Sequence, residues 1–178
     1  MYQDIIDFWF KEIDPSQWWK KDDAFDQMMT RRFSDVHDKA ARCELFEWRE
    51  FPLGRLAEII VLDQFSRNMF RGTRKAFSQD QMALILSQES ISSGIDKRLE
   101  PQERKFLYLP FMHSESIAIH ETAEALYRQL GDQSSLEFEL RHRKIIERFG
   151  RYPHRNEILG RDSTEEEIEF LRQPDSSF

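Results

Sequence analysis

Apolar residues recur at intervals of three and four along almost the whole chain, and no stretch alternates for long enough to make a half-buried strand. The pattern predicts an all-α protein of about seven helices. The first covers about residues 2–13, with Ile5, Ile6, Phe8, Trp9 and Ile13 available for packing, and Asp14-Pro15 ends it. The second starts at Asp22 or Asp23 and runs to about Ala41. Pro52 suits the first turn of a third, which reaches about Ser66. Ser78 and Gln81 have capping-box spacing for a fourth that Gly94 stops. Pro101 opens a long fifth helix ending before Gly131, and Pro110 inside it, with no N–H for the Phe106 carbonyl, should bend its axis. Ser134 and Glu137 read as the capping box of a sixth that stops at Gly150. After an irregular stretch at 151–160, Ser163 or Thr164 caps a short acidic seventh, and residues 172–178 should fray. Short connections favour antiparallel hairpins within one domain over residues 1–178.

Composition narrows the possible roles. The 26 basic and 33 acidic residues leave a net charge of −7, which argues against nucleic acid or an anionic membrane as partner. Cys43 is the only cysteine, so neither a disulfide within the chain nor a zinc site built on thiolate pairs is available, and a cytoplasmic location fits. Asp4, Asp7 and Glu12 interrupt the first apolar stretch, unlike a signal peptide, and no run approaches the roughly 20 apolar residues of a membrane span. No metal or cofactor is expected. Trp18-Trp19 and Phe46-Glu47-Trp48 suit the core better than a dimer face.

On a helical wheel several polar residues point inward. Asp63 falls between Ile59 and Ile60, and Arg67 lies four residues further along the same line: a buried ion pair or the wall of a charged site. His142 sits in an arc of Phe138, Ile145, Ile146 and Phe149, where burial should lower its pKa. His113, His120 and Glu124 share a strip after Pro110, with Glu115 on the opposite side.

Arginine outnumbers lysine 18 to 8, and it gathers in two islands. Residues 141–161 hold six Arg and one Lys against two Glu, a local +5, and the loop Gly150-Arg151-Tyr152-Pro153-His154-Arg155-Asn156 concentrates polar donors around a proline turn. Residues 64–79 hold Arg67, Arg71, Arg74 and Lys75 with no acid. Either island could hold an anion, lie solvated, or pair with the protein's own acids, such as those of residues 162–178.

The strings LDQFSRNMFRGT (62–73), FLYLPFMHSES (106–116) and HRKIIERFGRYPHRNEILGRDSTEEE (142–167) resemble the signature stretches of the bacterial domain-of-unknown-function family 924. The resemblance implies a tetratricopeptide-like helical fold and no established activity. Glu165 stands where similar sequences tend to carry proline, a change that a first helical turn accepts.

The three strings contain the polar positions already singled out, so they are expected to meet in one groove. The leading expectation is a binding module in which Arg67, Arg71, His113, His142, Arg151, His154, Arg155 and Asn156 hold an anionic small molecule or a peptide carboxylate. A hydrolase or transferase with His113 or His154 as acid/base and Asp63 as orienter is the alternative, though Ser66, Ser114 and Ser116 lack the spacing of a nucleophile elbow. A scaffold whose charges are paired internally is a third. Metal held by His113, His120 and Glu124 is the weakest variant, because the spacing of seven and then four matches no common motif.

Overall fold

The computed structural model describes residues 1–174, 176 and 177, and the regular elements among them are all helical. In chain order they are α1 (Tyr2–Asp7), α2 (Asp23–Ala41), α3 (Pro52–Ile60), α4 (Ser66–Met69), α5 (Asp80–Ser92), α6 (Pro101–Met112), α7 (Ile117–Leu130), α8 (Gln133–Phe149), α9 (Asn156–Leu159) and α10 (Glu165–Leu171). Short 3-10 and π turns fill much of the space between them. The chain groups into two compact units, Met1–Arg71 with Lys75–Pro110, and Gly72–Arg74 with Phe111–Phe178.

In unit 1, the Asp22 carboxylate accepts the Ala24 and Phe25 amides, both at 3.1 Å, and starts α2 where the sequence placed it. α3 runs without a break through a π turn at Val61–Phe65 into α4, three residues past the expected end. The π turn widens the helix by a residue and sets Asp63 and Gln64 inside together with Leu62 and Phe65. Phe8, Trp9, Phe33 and Phe65 make a ring cluster, with Phe8 and Phe33 4.7 Å apart and Phe33 and Phe65 5.0 Å apart, and all four are almost fully buried. Burial on this scale stabilises by about 2–3 kcal/mol per ring. Gly54 lets α3 cross the Phe46–Glu50 turn closely: a Cβ there would lie 2.1 Å from the Trp48 carbonyl oxygen.

Two local expectations change here. Ser78 does not cap α5; the helix begins at Asp80 without a side-chain cap, and the Ser78 hydroxyl donates to the Lys75 carbonyl. The paired aromatics are not in the core: Trp18 and Trp48 are half-buried and their partners Trp19 and Phe46 exposed, because 3-10 turns point neighbouring side chains about 120° apart. Trp18 donates from Nε1 to the Trp9 carbonyl at 3.0 Å, whereas Trp19 and Phe46 stay 57% and 61% exposed.

In unit 2, α7 and α8 form an antiparallel hairpin closed by Gly131, at φ 78°, and Asp132. The Asp132 carboxylate accepts the Ser135 amide at 3.1 Å and is the cap of α8, not Ser134, whose hydroxyl donates to the same oxygen. Gly150 ends α8 in the left-handed conformation, and Thr164 with Glu167 forms the capping box of α10. Ile145, Ile146 and Tyr152 make a small core, extended by Phe149 on Phe170 at 5.0 Å. Ser176 is buried and donates to the Leu171 carbonyl at 3.1 Å; Asp175 and Phe178, in the tail expected to fray, lie outside the described residues.

The long fifth helix is two helices. α6 stops at Met112, two residues after Pro110, and α7 begins at Ile117, so the proline precedes a break instead of bending a continuous rod.

Candidate functional site

The candidate residues divide between the units, and ion pairs account for those of unit 1. Arg67 reaches Asp63 at 3.0 Å and Asp80 at 2.9 Å, and it donates to the Asp63 carbonyl. Gln64 Nε2 donates to Asp63 Oδ2 at 2.5 Å. Arg71 forks onto Asp26, whose Oδ1 also accepts from Asn68 at 2.8 Å. These carboxylates are 1–18% exposed at their side chains, so the pairs are largely desolvated and serve the fold. The same unit holds a Ser–His contact, His37 Nε2 to Ser66 Oγ at 2.8 Å. Ser66 is itself donating to Leu62 at 2.6 Å and is fully buried, so no substrate reaches it. Burial lowers the His37 pKa.

Unit 2 holds four of the five histidines, and three of them surround one ring. Tyr152 is fully buried, and the centroids of His142, His120 and His154 lie 5.8, 6.3 and 5.5 Å from its own. The Arg155 guanidinium lies 4.5 Å over the same ring, with the residue 6% exposed. Burial and then the neighbouring imidazoles His113, His120 and His154 push His142 down to about 3, so it is neutral, and its Nδ1–H donates to the Phe138 carbonyl at 2.8 Å. His142 is thus a back wall. Phe138, expected in the inward arc, is 51% exposed, and Glu139 takes the inward position.

The break after α6 is held by three side chains from elsewhere in unit 2. A helix leaves its last carbonyls without internal donors; Met112 ends α6, and His113 and Ser114 continue the row to three backbone oxygens just past it. Tyr152 Oη donates to Met112 at 2.5 Å, Arg155 Nη2 to His113 at 3.1 Å, and His120 Nε2 to Ser114 at 2.9 Å. Two of these donors carry or can carry positive charge, which suits the negative end of a helix dipole. The side chain of His113, half-buried, is therefore mounted on a turn whose backbone is fixed at three successive residues.

Acids close the rest of the loop. Glu115 accepts the Tyr152 amide at 2.8 Å and both Arg161 Nη groups at 2.7 and 2.9 Å. Burial opposes its charge, but Arg161, the Tyr152 amide and Arg155 win and its pKa falls below the usual carboxylate value. Arg151 forks onto Glu167 at 2.7 and 2.8 Å. That fork, against some burial cost and with help from the Thr164 amide and Asn156, lowers the Glu167 pKa to about 2. Asn156 is fully buried and donates to Ser163 Oγ at 3.0 Å. Arg151 and Asn156 thus tie the loop to α10.

His113, His120 and Glu124 do not assemble: His120 turns to Glu139 Oε1 at 2.7 Å, and Glu124 pairs with Arg128 and Arg143. Among the described residues no group of three or more His, Cys, Asp or Glu is placed to hold a metal ion. Glu139 goes unnoticed in the sequence, and Glu115 and Tyr152 are visible there without these roles. Glu139 was findable, since it lies three residues before His142 on the same face.

The profile of a family described as bacterial protein of unknown function, DUF924, matches residues 5–175. A solved structure of a protein of unknown function from Agrobacterium tumefaciens is 44% identical, covers 96% of this chain and of its own, and superposes with a TM-score of 0.91. No curated protein matches the chain.

Proposed function

The chain belongs to DUF924, a family of bacterial proteins of unknown function, and from that premise we propose that it is a helical, tetratricopeptide-like binding module whose site is the His113–His154–Arg155 cluster of unit 2. The ligand class is one anionic group, a small carboxylate or phosphate or the carboxylate of a peptide. The observation that carries this is the triple clamp on Met112, His113 and Ser114: buried donors, Arg155 among them, fix the turn that carries the half-buried His113, and Arg155 and His154 both lie against the Tyr152 ring. Arg67, Arg71 and Arg151 are left out of the ligand set, because each is already forked onto a carboxylate of this chain. His142, neutral and turned to the Phe138 carbonyl, shapes the wall without touching the ligand. The exposed free thiol of Cys43 fits a reducing cytoplasm.

The test is calorimetric titration with inorganic phosphate, citrate and an acidic peptide on the wild-type chain and on His113→Gln and His154→Gln. Binding to at least one ligand that weakens at least about fivefold in both variants supports the site. Absence of binding to all three, or binding untouched by both substitutions, refutes it. The second reading is a scaffold in which the charges serve only the fold, and the internal pairing of Arg67, Arg71 and Arg151 favours it; no binding with intact stability is its outcome.

A further inference from the structure

Buried between α7 and α8 is an acid that the fold does not need for charge balance at the surface. Glu139 and His120 are both fully buried, with Glu139 Oε1 2.7 Å from His120 Nδ1. The other ring nitrogen, Nε2, is 2.9 Å from the Ser114 carbonyl and 3.2 Å from Tyr152 Oη. Glu139 Oε2 is buried with no hydrogen-bond partner among the described residues. A buried carboxylate oxygen without a protein partner is costly, and an apolar residue of similar size would fill the space more cheaply.

Proton counting explains the acid. A carbonyl only accepts, so Nε2 must carry a proton to hold Ser114. A neutral imidazole has a single N–H and could equally place it on Nδ1, which would leave two lone pairs facing each other across 2.9 Å at Ser114. Both contacts are made at once when Nε2 carries one proton and a second is shared between Nδ1 and Oε1, and Glu139 then locks the ring in the orientation that aims Nε2–H at Ser114. Burial also raises the Glu139 pKa, partly offset by the hydrogen bond to His120.

We infer that Glu139 is a positioning residue that acts through His120, fixing the ring as a donor to Ser114 and so holding the turn that presents His113. This deepens the proposed binding site, since the turn it holds is part of that site, yet its own signature does not depend on any ligand. The chain of effect is Glu139 to His120 to the Ser114 carbonyl, with Tyr152 and Arg155 holding the two carbonyls before it.

The experiment uses the full chain with nitrogen-15 histidine, without ligand. In the wild type the His120 ring is expected to show a slowly exchanging proton on Nε2 at neutral pH. A bare Nε2 would overturn the inference, and this measurement stands even if a variant fails to fold. In Glu139→Leu nothing holds Nδ1 and the ring is free to turn, so exchange of the amides at 114–116 is expected to speed up at least about tenfold, whereas Glu139→Gln, whose amide N–H can donate to a bare Nδ1, should keep the Nε2 proton and most of the protection. Unchanged exchange in a folded Glu139→Leu overturns it; Glu139→Asp, with its shorter carboxylate, should restore part of the protection. Failure of phosphate or citrate to bind while His120 keeps its proton would count against the proposed ligand alone.

Discussion

Replacing Glu167 by Gln removes one charge and almost no volume, so it isolates what the Arg151 fork contributes. The Glu167 side chain is 3% exposed, Arg151 is 28% exposed, and two short contacts join them while the Thr164 amide donates to Oε2 at 2.8 Å. A carboxyl held at about 2 instead of 4.5 corresponds to about 3 kcal/mol of preference for the charged form. Water reaches the arginine, so the realised contribution is about 2 kcal/mol. The sign follows from the depressed pKa: the stabilisation is complete above pH 4.5 and is lost as pH falls through about 2. Glu167→Gln should therefore cost about 2 kcal/mol at pH 7, and the gap to the wild type should close on acidification. All four tryptophans lie in unit 1, so urea unfolding must be followed by hydrogen exchange in α8 and α10. A difference under about 0.5 kcal/mol at pH 7, or one that does not change with pH, would refute the assignment of Arg151 to the fold.

Three further outcomes follow from other parts of the molecule. Gly54→Ala should destabilise unit 1 by roughly 2–4 kcal/mol, because its Cβ would meet the Trp48 carbonyl oxygen at 2.1 Å; an unchanged melting temperature by tryptophan fluorescence contradicts this. Gly160→Ala combines a φ of +69° with a Cβ 2.3 Å from Arg74 Nη2, and should cost about 1–2 kcal/mol, part of it regained in an Arg74→Ala background; strict additivity of the two changes would deny the clash. His142, held near 3 against 6.5, should show ring resonances that do not move between pH 8 and pH 5, and its neutral burial adds stability above pH 6.5 that is lost as pH falls towards 3. A ring that titrates near 6.5 would place His142 in solvent.

Helix positions were legible where one local signal decided them. Asp22 at the start of α2, Gly150 at the end of α8 and Thr164, one of the two caps expected for α10, act within a few residues, and the structure uses them. Ser134 was misread because Asp132, two residues earlier, offers a charged acceptor to the same turn. The break after Pro110 was illegible in principle, since its carbonyls are satisfied by Tyr152, Arg155 and His120, and Tyr152 lies 40 residues from Met112 in sequence. The wheel correctly sent Asp63 and His142 inward but gave no partner across elements, so it could not tell that Asp80 would share Arg67 or that Asp26 would take Arg71. Charge islands mark where arginine is needed; which of them hold the protein's own acids is decided by the packing.

The most direct test of the anion site is a phosphate and citrate titration watched through the ring resonances of His113, His154 and His37 in one sample. The account predicts saturable shifts at His113 and His154, both in unit 2, with His37 of unit 1 unmoved. Shifts of equal size at all three, or none at His113 and His154 up to the solubility of both anions, would contradict it.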